Sequence, residues 1–108
     1  MHTSGLSALV RAANDCSAAC EFCAASCLSE PDIEMMKLCI RLDLDCSEAC
    51  HLIAKLAERD SAFVADFASQ VASVCDECAQ ECAKHDKAHC RQCAAACQRC
   101  AEACRSVA

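Results

Sequence analysis

A chain of 108 residues with one glycine and one proline has room for a single domain with a modest core, and little material for turns or strands. Its formal net charge of −6 argues against nucleic acid as a partner, since a phosphate backbone requires a basic face. Fifteen cysteines are the outlying feature of the composition.

The first predicted helix spans 6–28. The N-terminal stretch, Met1-His-Thr-Ser-Gly-Leu-Ser-Ala-Leu-Val-Arg, has no basic start followed by a long apolar run, so it reads as neither a signal peptide nor a membrane span. A cytoplasmic location follows as the expectation. Within this helix Cys16, Cys20, Cys23 and Cys27 step by four, three and four. Ser29-Glu-Pro-Asp32 then supplies a stop and a new start, with Ser29 as a cap, Asp32 in the capping-box position and Pro31 in the first turn. The second helix, 31–58, carries Cys39, Cys46 and Cys50, and Met36 lies three residues before Cys39. Strict alternation turns Asp43 onto this stripe. An unpaired buried carboxylate is costly, so a small rotation that places Leu42 inside is expected instead. Asp60 is the expected N-cap of the third helix, 61–84, which carries Cys75, Cys78 and Cys82. His85-Asp86 breaks the pattern, and Asp86 is expected to cap the fourth helix, 87–106, with Cys90, Cys93, Cys97, Cys100 and Cys104.

On an α-helix, steps of three and four keep every thiol on one stripe, the seam spacing of a helical bundle with Cys where Leu usually stands. Four helices joined by short loops predict an all-α, antiparallel up-down-up-down four-helix bundle with a Cys-lined core. Counting from the end shared by the first and third loops, Cys27, Cys82 and Cys90 are expected at one level. Below them come Cys23, Cys39, Cys78 and Cys93, then Cys20, Cys75 and Cys97, then Cys16, Cys46 and Cys100, and last Cys50 with Cys104. At a rise of 1.5 Å per residue the sulfur tube is roughly 20 Å long. Leu6, Leu9, Val10, Leu52, Ile53, Leu56, Phe63, Val64, Phe67 and Val107 are expected to plug the far end. Met35, Met36, His85 and His89 stand at the near end, which reads as an entrance. His2 and His51 are expected at the surface.

The odd cysteine count and the missing export signal argue against a disulfide scaffold, as does the side-by-side course of cysteines along one helix. Reduced thiols are small hydrophobes around which a bundle can fold without metal. Once ionised they repel one another in a dry core unless cations match them. Zinc and iron–sulfur centres draw four thiolates from converging loops, whereas one helix offers pairs. Cu(I) is soft, accepts two or three sulfurs, and at one ion per thiolate leaves the core near neutral. An iron–sulfur or thiol-redox electron-transfer protein and a zinc or heavy-metal buffer remain the alternatives. Enzymatic activity is not expected, because no nucleophile–base constellation or phosphate loop is present.

With its Cys-x-x-x-Cys and Cys-x-x-Cys repeats on all four helices, roughly residues 6 to 106 resemble the bacterial four-helix-bundle copper storage proteins, specifically their cytosolic branch. The resemblance implies storage of many Cu(I) ions, ligation mainly by the fifteen cysteines, and a homotetramer. It also implies entrance through one end bearing His or Met, which His85, His89 and Met36 match here. No copper chaperone is identifiable from the chain. Ile33, Ile40 and Leu44, with Phe22, form a second apolar stripe away from the cysteines and suggest a subunit interface.

Overall fold

The structure, a computed structural model, describes residues 4–108, with side chains from Leu6 onward. His2 lies outside the described residues. Among the described residues, four helices make up the fold: α1 (Ser4–Cys27), α2 (Ile33–Glu58), α3 (Val64–Cys82) and α4 (Ala88–Arg105). Their core-facing stripes follow the alternation of three and four without interruption. On α1 the stripe is Leu6, Leu9, Ala13, Cys16, Cys20, Cys23 and Cys27, and on α2 Met36, Cys39, Asp43, Cys46, Cys50, Ile53 and Ala57. The loops are too short to cross the bundle, so successive helices run antiparallel. α1 packs on α2 and α4, α3 packs on α2 and α4, and the diagonal pairs make no close backbone approach. The result is a rod of 46 × 18 × 17 Å with the sulfur stripes facing its axis. Among the described residues, no helix is long and apolar enough to cross a membrane.

The helix ends differ from the sequence-based expectation. Asp60 is not an N-cap. It follows Arg59 with φ 53, and its amide donates to the Ala57 carbonyl at 3.1 Å while the Ser61 amide reaches the Leu56 carbonyl at 2.9 Å. That pair of bonds closes α2 in a Schellman motif, with an aspartate where glycine is usual. Ser61 Oγ accepts the Phe63 amide at 3.1 Å, and α3 begins only at Val64. Ser29 caps nothing; its amide bonds to Ser26 in the closing turn of α1. Asp32 stands at the N-cap position of α2 without a side-chain bond to the helix, because its carboxylate accepts from Lys87 Nζ at 3.3 and 3.4 Å. Asp86 is likewise drawn away, accepting from Arg91 at 2.6 Å, and α4 opens behind an extended Lys87.

The far end is plugged by Leu6, Leu9, Ile53, Leu56 and Val64, with Val10 and Val107 partly buried against them. Leu52, Phe63 and Phe67, expected in this plug, are exposed. The late start of α3 leaves Phe63 outside the helix and turns Val64, Ala68 and Val71 inward, so Phe67 falls off the stripe.

Candidate metal centre

All fifteen cysteines are free thiols, and none has any solvent exposure. Each helix sets its own pairs one turn apart, with Sγ–Sγ distances of 4.0 Å for Cys16/Cys20, 3.9 Å for Cys23/Cys27 and 4.0 Å for Cys46/Cys50. Cys78/Cys82 stand 4.0 Å apart and Cys93/Cys97 3.9 Å. Contacts between helices are equally short: Cys39–Cys82 at 3.5 Å, Cys16–Cys97 at 3.6 Å, Cys46–Cys75, Cys20–Cys93 and Cys50–Cys100 at 3.7 Å, and Cys23–Cys90 at 3.8 Å. The sulfurs therefore form groups whose ligand atoms lie within 4.8 Å of one another, and the groups share members. Cys16, Cys46, Cys50 and Cys75 form one; Cys16, Cys20, Cys46 and Cys97 the next; Cys20, Cys78, Cys93 and Cys97 another; and Cys23, Cys27, Cys39 and Cys90 one nearer the mouth.

The expected levels are displaced. Cys39 meets Cys82 rather than Cys78, and Cys46 meets Cys75 and Cys97 rather than Cys100. Cys20 bridges Cys93 and Cys97. Groups of four sulfurs from different helices are also commoner than a pairs-only stripe suggests.

Asp43, not Leu42, faces the core. Its side chain has no exposure, whereas Leu42 is half-buried. Oδ1 accepts from Cys78 and Cys93 at 3.3 Å and from Cys82 at 3.4 Å, and Oδ2 lies 3.9 Å from the Cys39 sulfur. These thiol donors supply the partners that an isolated buried carboxylate would lack. Burial, the largest cause, pushes the Asp43 carboxyl up to about 8. Burial also raises the Cys27 thiol and pushes Cys90 up to about 11, so both are neutral in copper-free protein near pH 7.

At the near end, His89 Nδ1 stands 3.5 Å from the sulfurs of Cys23 and Cys90 and 3.9 Å from Cys27. Its Nε2 is 2.8 Å from Glu30 Oε2. His85 turns its Nε2 to Glu81 Oε2 at 2.8 Å and makes no described contact with sulfur. Met36 is fully buried above Cys39, while Met35 is exposed. Sequence reasoning missed both carboxylates. Glu81 was signalled by its place four residues before His85, but Glu30 meets His89 only through the fold. A second unforeseen cluster lies in the α1–α2 seam. Ser17 Oγ is 3.0 Å from Ser47 Oγ and 2.6 Å from Nε2 of the half-exposed His51, and Ser47 donates to Glu21 at 2.6 Å.

A family model described as copper storage protein matches residues 2–108. The chain belongs to the copper storage protein family. An uncharacterized cysteine-rich protein of Bacillus subtilis, YhjQ, is 43% identical over 101 residues, covering 94% of each chain. Among solved structures, the Cu(I)-bound copper storage protein BsCsp3 superposes with a TM-score of 0.92 at 41% identity, over 96% of this chain and 98% of that one. A cytosolic copper storage protein from Streptomyces lividans, in a form with five coppers, gives 0.93 at 34% identity, over 96% and 92%. Family membership joins the bundle, the free thiols and the stacked sulfur groups into one architecture.

Proposed function

We infer that this protein stores multiple Cu(I) ions on the thiolates of its bundle core and acts in the cytoplasm, as a store and not an enzyme. The observation that carries this reading is the column of sulfur groups, from Cys23, Cys27, Cys39 and Cys90 near the mouth to Cys16, Cys46, Cys50 and Cys75 toward the plug, with Cys100 3.7 Å from Cys50. The copper-bound relatives support it. Charge decides between metals. A closed tetrahedron of four thiolates around zinc leaves two negative charges in a dry interior. Cu(I) accepts bridging thiolates and balances charge one for one. The proposed ligands are the fifteen cysteines, with His85, His89 and Met36 at the entrance; the Nδ1–sulfur distances of His89 support that end as the way in.

The test is anaerobic titration of reduced protein with Cu(I), followed by sulfur-to-copper charge transfer, in a chain without Trp or Tyr. Uptake on the order of one ion per thiol is expected from charge matching. Saturation after only a few ions would reject storage.

A homo-oligomer, proposed as a tetramer, covers the outer face of α1 and α2. There Phe22, Leu28, Leu38 and Leu44 are all at least half exposed, beside half-buried Ile33 and Ile40. Sedimentation showing only monomer at micromolar concentration would remove this part alone.

A further inference from the structure

We propose that Glu30 is a positioning residue for copper uptake: it fixes the His89 ring so that Nδ1 presents its lone pair to the sulfurs of Cys23, Cys27 and Cys90. This rests on the reading of the His-bearing end as the entrance.

A carboxylate only accepts, so the 2.8 Å contact between Glu30 Oε2 and His89 Nε2 places the ring proton on Nε2. On a neutral imidazole Nδ1 is then bare, and it is the nitrogen that stands 3.5 Å from Cys23 and Cys90. The opposite tautomer would turn an N–H toward the thiols and offer nothing to a soft cation. Glu30 is itself held in place. Its Oε1 lies 3.6 Å from Lys87 Nζ, which also grips Asp32, and its amide donates to the Cys27 carbonyl at 3.1 Å. The α1–α2 loop thus brings the carboxylate, and the start of α4 brings both the ring and the lysine that secures its partner. Glu30 and His89 are only 23% and 12% exposed, so water competes weakly for the bond.

The arrangement recurs where α3 ends. His85 Nε2 meets Glu81 Oε2 at 2.8 Å, and Lys84 stands 3.5 Å from the other carboxylate oxygen. His51, away from the mouth, makes its short contact with Ser17 at 2.6 Å and has Glu21 Oε2 farther off, at 3.8 Å. A histidine that binds metal through one nitrogen usually donates the other N–H to a carboxylate, which sets its tautomer and raises its basicity.

The experiment pairs two readouts on wild type, Glu30→Ala, Glu30→Gln and His89→Ala. In copper-free protein, imidazole ¹⁵N shifts should report the Nε2–H tautomer at His89 in wild type and a mixture in Glu30→Ala. In stopped-flow mixing with chelated Cu(I), Glu30→Ala should slow the first phase of uptake by about tenfold, as His89→Ala does. Glu30→Gln, whose amide oxygen still accepts, should recover most of the rate. An unchanged tautomer in Glu30→Ala, or an unchanged rate where His89→Ala is slow, overturns the role of Glu30. If His89→Ala itself loads at the wild-type rate, the entrance reading falls, and the role in uptake falls with it. The copper-free spectra decide separately whether Glu30 sets the ring.

Discussion

Asp43 shows how the core tolerates a charge-bearing side chain. In an unfolded chain its carboxyl ionises near pH 4, but in the fold it does so at about 8. Between those values the folded protein keeps a proton that the unfolded chain releases. The contribution of Asp43 to the stability of the copper-free protein therefore falls as pH rises through this window, and levels off above it. From about pH 5 to about pH 7.5 the loss should be on the order of 3 kcal/mol. Asp43→Asn cannot titrate and should show no such slope in denaturant unfolding of reduced protein; equal slopes in the two proteins would refute the assignment. The inward position of Asp43 was legible in strict alternation. What the sequence could not supply was the partners: Cys78, Cys82 and Cys93 reach it from α3 and α4. Without those donors Leu42 looks the cheaper occupant. The same limit hid Glu30, which lies far from His89 in the chain.

Helix identity was legible because every helix repeats one spacing and Gly and Pro are almost absent. Helix ends were not, because ion pairs, one of them between distant parts of the chain, claim the candidate caps. Asp32 and Asp86 have the chemistry of caps, yet Lys87 and Arg91 claim their carboxylates. Asp60 adopts φ 53 in a position where a side chain costs energy and glycine does not. Asp60→Gly should thus stabilise the protein by about 0.5–1 kcal/mol, read as a higher urea midpoint with unchanged copper capacity. A lower midpoint would show that the Asp60 side chain contributes something the backbone bonds do not. The plug makes the opposite prediction. Leu9 and Ile53 have no exposure and lie on the stripe beyond the last cysteines. Truncating either to Ala should cost about 2–5 kcal/mol in copper-free protein while leaving the number of ions bound at saturation intact. A loss of ions in step with stability would mean that plug and store are not separable.

At the scale of the whole molecule, topology followed from loop length, but axial register did not. Loop length fixes which helices are neighbours and that they run antiparallel; it leaves open how far one slides along the next. Here the slide puts Cys39 opposite Cys82, and Cys20 between Cys93 and Cys97. The consequence is sharing, and sharing makes the thiols unequal as ligands. Cys20 belongs to two four-sulfur groups, one with Cys16, Cys46 and Cys97 and one with Cys78, Cys93 and Cys97. Cys104 lies at the end of the column, one turn beyond Cys100. Replacing a bridging thiolate unbalances the charge of both groups it joins, whereas replacing a terminal one affects only its own end. Cys20→Ser should therefore remove more than one Cu(I) from the saturated protein, and Cys104→Ser about one at most. Anaerobic titration with metal analysis measures both, with circular dichroism to show that each variant keeps its helices. Equal losses would mean that ions occupy isolated pairs along single helices, and that contacts between helices serve packing alone.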